Sequence, residues 1–221
     1  MIAGQELKEI SAKHKNVIPI SCDVTNDESI RGAVKKVEKH LGKEKLGLNL
    51  LINNAGILKT KGNCLKSLDR DALMEHLDVN AVAPLLVAEA FHPLLQLAAE
   101  QNSAEPVGIQ KAAVLIISSE VGSINNNTSG QSFLGYGYRM SKAAVNMAMK
   151  CLSVDLSDKK DQRKQILSAV FCPGWVQTEM GGPKAMITAQ ESVSTLLKTF
   201  EELESEHQGG YFRRNGDKIP F

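Results

Sequence analysis

Ala112-Ala113-Val114-Leu115-Ile116-Ile117-Ser118-Ser119-Glu120 is an aliphatic run that ends abruptly in two hydroxyls and an acid. It reads as a central strand followed by a loop with chemistry to offer. Working outward, short β-branched or apolar runs recur at Asn16 to Ser21, Leu48 to Asn53 and Gln165 to Phe171, with a weak one at Gly210 to Arg213. Amphipathic patterns long enough for crossover helices lie between them, at about 27–40, 69–100, 137–157 and 189–204. Strand alternating with helix predicts an α/β fold, a doubly wound parallel sheet with helices on both faces.

The rest of the composition narrows the function classes. The 221 residues carry 26 Lys and Arg against 25 Asp and Glu, a net charge of +1. That balance lacks the electrostatic footprint of a protein working on nucleic acid or anionic lipid, so a small-molecule partner is expected. The longest clean apolar run is Ala112 to Ile117, far short of the roughly 20 residues of a bilayer span, so no membrane span is expected. Glu6, Lys8 and Glu9 interrupt any secretory core, which predicts a cytoplasmic chain. Cys22, Cys64, Cys151 and Cys172 show no zinc spacing, so no metal is expected, and they read as reduced, mostly buried thiols.

Ligands of open parallel sheets sit beyond the C-terminal ends of the strands. In order, those ends carry Cys22-Asp23-Val24-Thr25, Asn53-Asn54-Ala55-Gly56, Ser118-Ser119-Glu120 and Cys172-Pro173-Gly174-Trp175-Val176-Gln177-Thr178. Tyr138 and Lys142 lie four apart and share a helical face. A phenol is a poor acid or base near pH 7, and a neighbouring ammonium would lower its pKa, which makes the pair a candidate proton donor to a carbonyl. The Ser119 hydroxyl could polarise the same oxygen. Pro84, four residues after Asn80, has no N–H, which leaves the Asn80 carbonyl without its regular helical partner and able to hold water.

The order Asp-Val, Asn-Asn-Ala-Gly, helical Asn, Ser after a strand, Tyr-x-x-x-Lys and Pro-Gly resembles the classical short-chain dehydrogenase/reductase family over essentially the whole chain. Ser119 to Ile124, Tyr138 to Lys142 and Pro173-Gly174-Trp175 are similar to the sniffer-like carbonyl reductases. The resemblance implies a Rossmann-like oxidoreductase with a catalytic tetrad of Asn80, Ser119, Tyr138 and Lys142. Tyr138 would be the acid/base, Ser119 would hold the substrate oxygen, and Lys142 would hold the nicotinamide ribose. The Asn80 carbonyl would place a water relaying protons to Lys142. The resemblance further implies NADP(H) as cofactor without excluding NAD(H). Asp23 and Val24 would flank the adenine, and Asn54, Ala55 and Gly56 the adjoining ribose. Pro173, Gly174, Val176 and Thr178 would lie at the nicotinamide, with Val176 and Thr178 at the carboxamide. A homodimer through the 69–100 and 137–157 helices is implied as well.

One part of the family pattern is not in the sequence: no G-x-x-x-G-x-G follows any strand. Gln5 to Lys15 matches the helix before the family's third strand, so the 221 residues read as one domain lacking the first two strands and the first helix, about 40 residues. Strands lie about 4.8 Å apart, so that loss predicts either a gap of roughly 14 Å in the sheet or a closing of Asn16–Ser21 onto Leu48–Asn53. Two functions remain open: NADPH-dependent reduction of a carbonyl (or oxidation of an alcohol), and a non-catalytic association module. Asn125 to Phe133 is expected to rim the substrate, and the short Met180 to Thr188 stretch to leave the site open. Trp175 either lines the substrate wall or plugs the core. A serine hydrolase is disfavoured, because G-x-S-x-G is absent and no histidine falls in a strand-end loop.

Overall fold

The computed structural model describes residues 2–42, 45–128, 134–157 and 161–221. Its centre is a four-stranded, wholly parallel sheet in the order β1 (Leu50–Asn53), β2 (Ala113–Ile117), β3 (Leu167–Cys172), β4 (Tyr211–Arg213). The register aligns Leu51 with Val114 and Val114 with Ser168. Along β2 the side chains alternate between two cores, because successive strand residues point to opposite faces. Val114 and Ile116 join Ile30, Phe91, Leu95, Val145 and Met149 on one side. Ala113 and Leu115 join Phe171, Leu196, Phe200 and Phe212 on the other. The first core is covered by α2 (Asp27–Leu41), α4 (Ala83–Gln101) and α5 (Gly135–Asp155), the second by α6 (Ala189–Glu201). This is the doubly wound α/β arrangement that the alternation of runs implies.

The helices begin where their caps dictate. Asn26 accepts the Ser29 N–H at 2.8 Å to open α2, and Asp69 accepts the Ala72 N–H at the start of α3 (Arg70–Leu77). Between α3 and α4 lies a widened turn, Asp78–Val82, in which the Ala83 N–H reaches back five residues to the Asp78 carbonyl. Pro84 is the cause: it cannot donate to Asn80, and the extra residue lets the helix continue past it.

Three expectations are corrected. Asn16–Ser21 is not a strand. Residues 17–23 are extended and mostly exposed, pair with no ladder, and follow α1 (Ile2–Lys13). Pro19 lacks an N–H, and little apolar surface is buried there to offset the cost of ordering. Second, α3 through α4 form a 32-residue helix that is, by length and composition alone, long and apolar enough to cross a membrane. Half of its most apolar stretch is buried in this fold, where Phe91, Leu95 and Ala99 fill the core beneath the sheet. Third, of the four cysteines, all unpaired, only Cys172 is buried; Cys22, Cys64 and Cys151 are exposed. Cys172 closes a strand covered on both faces, whereas Cys151 lies on the outer side of α5.

Candidate active site

Ser119 leaves the end of β2 and opens a short turn, Glu120–Gly122. Its main chain is held from the far side by Tyr211 of β4, whose hydroxyl donates to the Ser119 carbonyl. Glu120 is paired with the Arg213 guanidinium, so the last strand anchors the loop through two side chains. Neither Tyr211 nor Arg213 stood out in the sequence, because their partners are 92 and 93 residues away.

Tyr138 and Lys142 rise from the first turns of α5 on its inward face, 8% and 5% exposed. The Ser119 hydroxyl lies near enough to the Tyr138 phenol to favour its charged form. Lys142 Nζ lies 5.6 Å from the centroid of the Tyr138 ring and donates to the Ile117 carbonyl at 3.1 Å. The structure therefore brings Ser119, Tyr138 and Lys142 together. The expected electrostatics are reversed, however. Burial pushes the Tyr138 phenol up to about 12 against the opposing effect of the nearby Ser119 hydroxyl, and pushes the Lys142 ammonium down to about 8. Desolvation disfavours both charged forms. Nζ is aimed at a backbone carbonyl rather than at the phenol oxygen, so its charge does not offset that. Cys172, itself held neutral by burial, faces both groups and was not recognised as part of this cluster from the sequence.

Asn80 sits in the widened turn and is buried. Its side chain grips Ile57 twice, accepting the N–H at 2.8 Å and donating to the carbonyl at 3.0 Å, and donates to Ser141 Oγ at 3.0 Å. Ser141 in turn donates to the Tyr138 carbonyl at 2.8 Å. Gly56 lies between the two functional groups: a Cβ there would sit 3.1 Å from Asn80 Oδ1 and 3.6 Å from Lys142 Nζ. A residue without a side chain at 56 keeps a cradle open beside the lysine.

Among the remaining candidates, those that follow β1 and β3 leave the same edge of the parallel sheet. Asn54 and Ala55 are exposed just past β1. Asp23 is exposed, its carboxylate held below the usual range by Thr25, whose hydroxyl and N–H both donate to it, while Val24 packs on the core. Pro173 and Gly174 turn the chain out of β3, and Val176 bridges Ile187 across the base of the following loop. Thr178 Oγ1 accepts the Gly181 N–H at 3.1 Å. Trp175 is 42% exposed and donates its indole N–H to the Gly181 carbonyl at 2.8 Å, which excludes the core-plug reading. Of the rim Asn125 to Phe133, residues 129–133 lie outside the described residues; Asn125 donates to the Phe221 carbonyl at 3.2 Å. A cavity of about 720 Å³ lies beside the first turns of α5, lined by Asn63, Val121, Ile124, Tyr136, Arg139 and Met140.

Comparison with known proteins places this geometry. The carbonyl reductase Sniffer of D. melanogaster superposes with a TM-score of 0.90 at 33% identity, over 98% of this chain and 83% of that one. The NADPH-bound carbonyl reductase from chicken fatty liver superposes with a TM-score of 0.88 at 34% identity, over 98% and 82%. The C-signal protein of Myxococcus xanthus is 34% identical over 174 residues, 79% of this chain and 93% of that protein. The short chain dehydrogenase family model matches residues 3–187, and on that match the chain belongs to the short-chain dehydrogenase family of oxidoreductases.

Proposed function

We propose that the chain reduces a small-molecule carbonyl, or oxidises the corresponding alcohol, with NADP(H) and with Tyr138 as the acid/base. The observation that carries this reading is the buried cluster at the end of β2, in which the Ser119 hydroxyl lies near enough to the Tyr138 phenol to favour its charged form and the Lys142 ammonium stands 5.6 Å from the centre of the same ring. A carbonyl oxygen placed between the two hydroxyls would accept a hydrogen bond from Ser119 and the proton from Tyr138. Lys142, at about 8, is a far stronger acid than the phenol, at about 12, so a proton held on the lysine moves downhill to a phenolate. The Asn80 carbonyl, which Pro84 cannot satisfy, suits a water that returns that proton from solvent.

The nicotinamide nucleotide supplies the hydride when bound. The chicken carbonyl reductase, described as NADPH-bound, supports NADP(H) here. The residues fit its nicotinamide end: Gly56 leaves room beside Lys142 for a ribose, and Pro173, Gly174, Val176 and Thr178 border the place for the ring and carboxamide. Asp23 and Val24 suit the adenine side, and Asn54 and Ala55 the adjoining ribose. For the pyrophosphate the described residues contain no glycine-rich turn leading from a strand into a helix N-terminus. The second reading, a non-catalytic association module, rests on apolar side chains exposed on α4 and α5.

A homodimer is proposed through α5 and the α3–α4 helix. Met140, Met147 and Val154 are exposed at seven-residue intervals, and Leu85 and Leu86 are exposed on α4. The four unpaired cysteines suit a reducing compartment such as the cytoplasm. Titration with NADPH, followed by nucleotide fluorescence alongside carbonyl turnover, separates the two functions. Binding with turnover supports the enzyme; neither supports the module.

A further inference from the structure

We propose that Asn63 and His76 form a neutral brace that sets where the Tyr138 ring stands, which makes them positioning residues for the reaction above and rests on that reading of Tyr138. Both side chains are fully buried and touch neither Ser119 nor Lys142. His76 Nε2 accepts the Lys59 N–H at 3.0 Å, and Nδ1 lies 2.7 Å from the Ala72 carbonyl. A backbone N–H can only donate, so Nε2 is bare and the proton is on Nδ1. That tautomer is neutral and fixed. The imidazole then meets the Tyr138 ring edge-on, with centroids 6.5 Å apart at 77°.

Asn63 completes the clasp. Its Nδ2 donates to the Lys59 carbonyl at 3.0 Å and to the Leu134 carbonyl at 3.1 Å, while Oδ1 accepts the Gly137 N–H. Its own carbonyl accepts the Tyr136 N–H at 2.9 Å. Those N–H groups belong to the first turn of α5, where a helix has no internal acceptor to offer. Asn63 thus ties the Lys59 carbonyl to Leu134 and Gly137, and His76 ties the Lys59 N–H to α3 and to the edge of the Tyr138 ring. Room for this exists only because residue 137 is glycine: a Cβ there would stand 3.0 Å from Asn63 Oδ1 and 3.0 Å from His76 Nδ1. The loop after β1, α3 and the start of α5 are held together at the ring that must meet substrate.

The test uses the full chain with NADPH and phenanthrenequinone as the carbonyl probe. Asn63→Leu removes the clasp, His76→Phe keeps the ring contact but removes the acceptor, and His76→Gln can offer its amide oxygen to the Lys59 N–H. The brace predicts kcat lower by about 10- to 100-fold in the first two, as misplacement by an ångström can cost, with KM for NADPH unchanged. His76→Gln recovers most of kcat. Wild-type kcat in folded Asn63→Leu and His76→Phe, or a His76→Gln no better than His76→Phe, overturns it. Should the two severe variants fail to fold, the ¹⁵N shifts of His76 in the wild-type chain decide: protonated Nδ1 with bare Nε2 supports the brace, and the other tautomer or an imidazolium overturns it. Turnover that survives Tyr138→Phe removes the acid/base reading instead, and the tautomer measurement still stands apart from that failure.

Discussion

The two edges of the sheet are built differently. At the β4 edge the stretch 119–125 is tied down: Tyr211 to Ser119, Arg213 to Glu120, Ser123 to the Pro220 carbonyl at 2.5 Å and Asn125 to Phe221. At the β1 edge the strand is paired on one side only, Ile52 in its middle is 40% exposed, and residues 17–23 run extended with no ladder. Ser119 is carried by the tied edge, and the proposed adenine contacts Asp23 and Val24 by the loose one. A site assembled this way should have well-placed proton chemistry and a weakly organised nucleotide tail.

Substitutions in the two halves put that contrast at risk. Leu115, wholly buried between β2's neighbours and Phe171, should cost about 2–5 kcal/mol when changed to Ala, read from denaturant unfolding. A smaller value would mean that the central sheet is no firmer than its edge. Lys142→Met should move stability the other way, by roughly 1–3 kcal/mol of stabilisation at pH 7, while removing turnover, because one pKa unit is worth about 1.4 kcal/mol and this ammonium is held down at about 8 by burial. Between pH 8 and 10.5 the unfolded chain keeps a proton on this lysine that the folded chain has released, so wild-type stability rises through that window. From pH 10 to about 12 the unfolded chain loses a Tyr138 proton that the folded chain retains, and stability falls again. Lys142→Met should lack the rise, and Tyr138→Phe should lack Tyr138's share of the fall. Ile18→Ala, on the unpaired segment, should change stability by less than about 0.5 kcal/mol. A cost near that of Leu115→Ala would show that residues 17–23 are as firmly packed as the core.

Much of this was legible in the sequence, and the reasons for the rest are physical. Val114 to Ile117, Tyr138 with Lys142, and Asn80 with Pro84 are local patterns, and local geometry makes them readable. The Asn16–Ser21 run has strand composition but no neighbour to pair with, and pairing is not a property of the run itself. Asn63, His76 and Tyr211 act across 17 to 92 residues, Asn63 and His76 through backbone groups that leave no motif. The reversed pKa directions follow from burial depth, which a Tyr-x-x-x-Lys spacing does not encode.

The central claim is that Tyr138 moves the proton. Its most direct test is NADPH-dependent reduction of phenanthrenequinone by the purified chain beside Tyr138→Phe, with folding of both confirmed by thermal melts. The expected result is turnover in the wild type and a loss of about 10²- to 10⁴-fold in the variant, the usual contribution of a positioned general acid. Turnover in folded Tyr138→Phe equal to the wild type, or none in a wild type that binds NADPH, would contradict it.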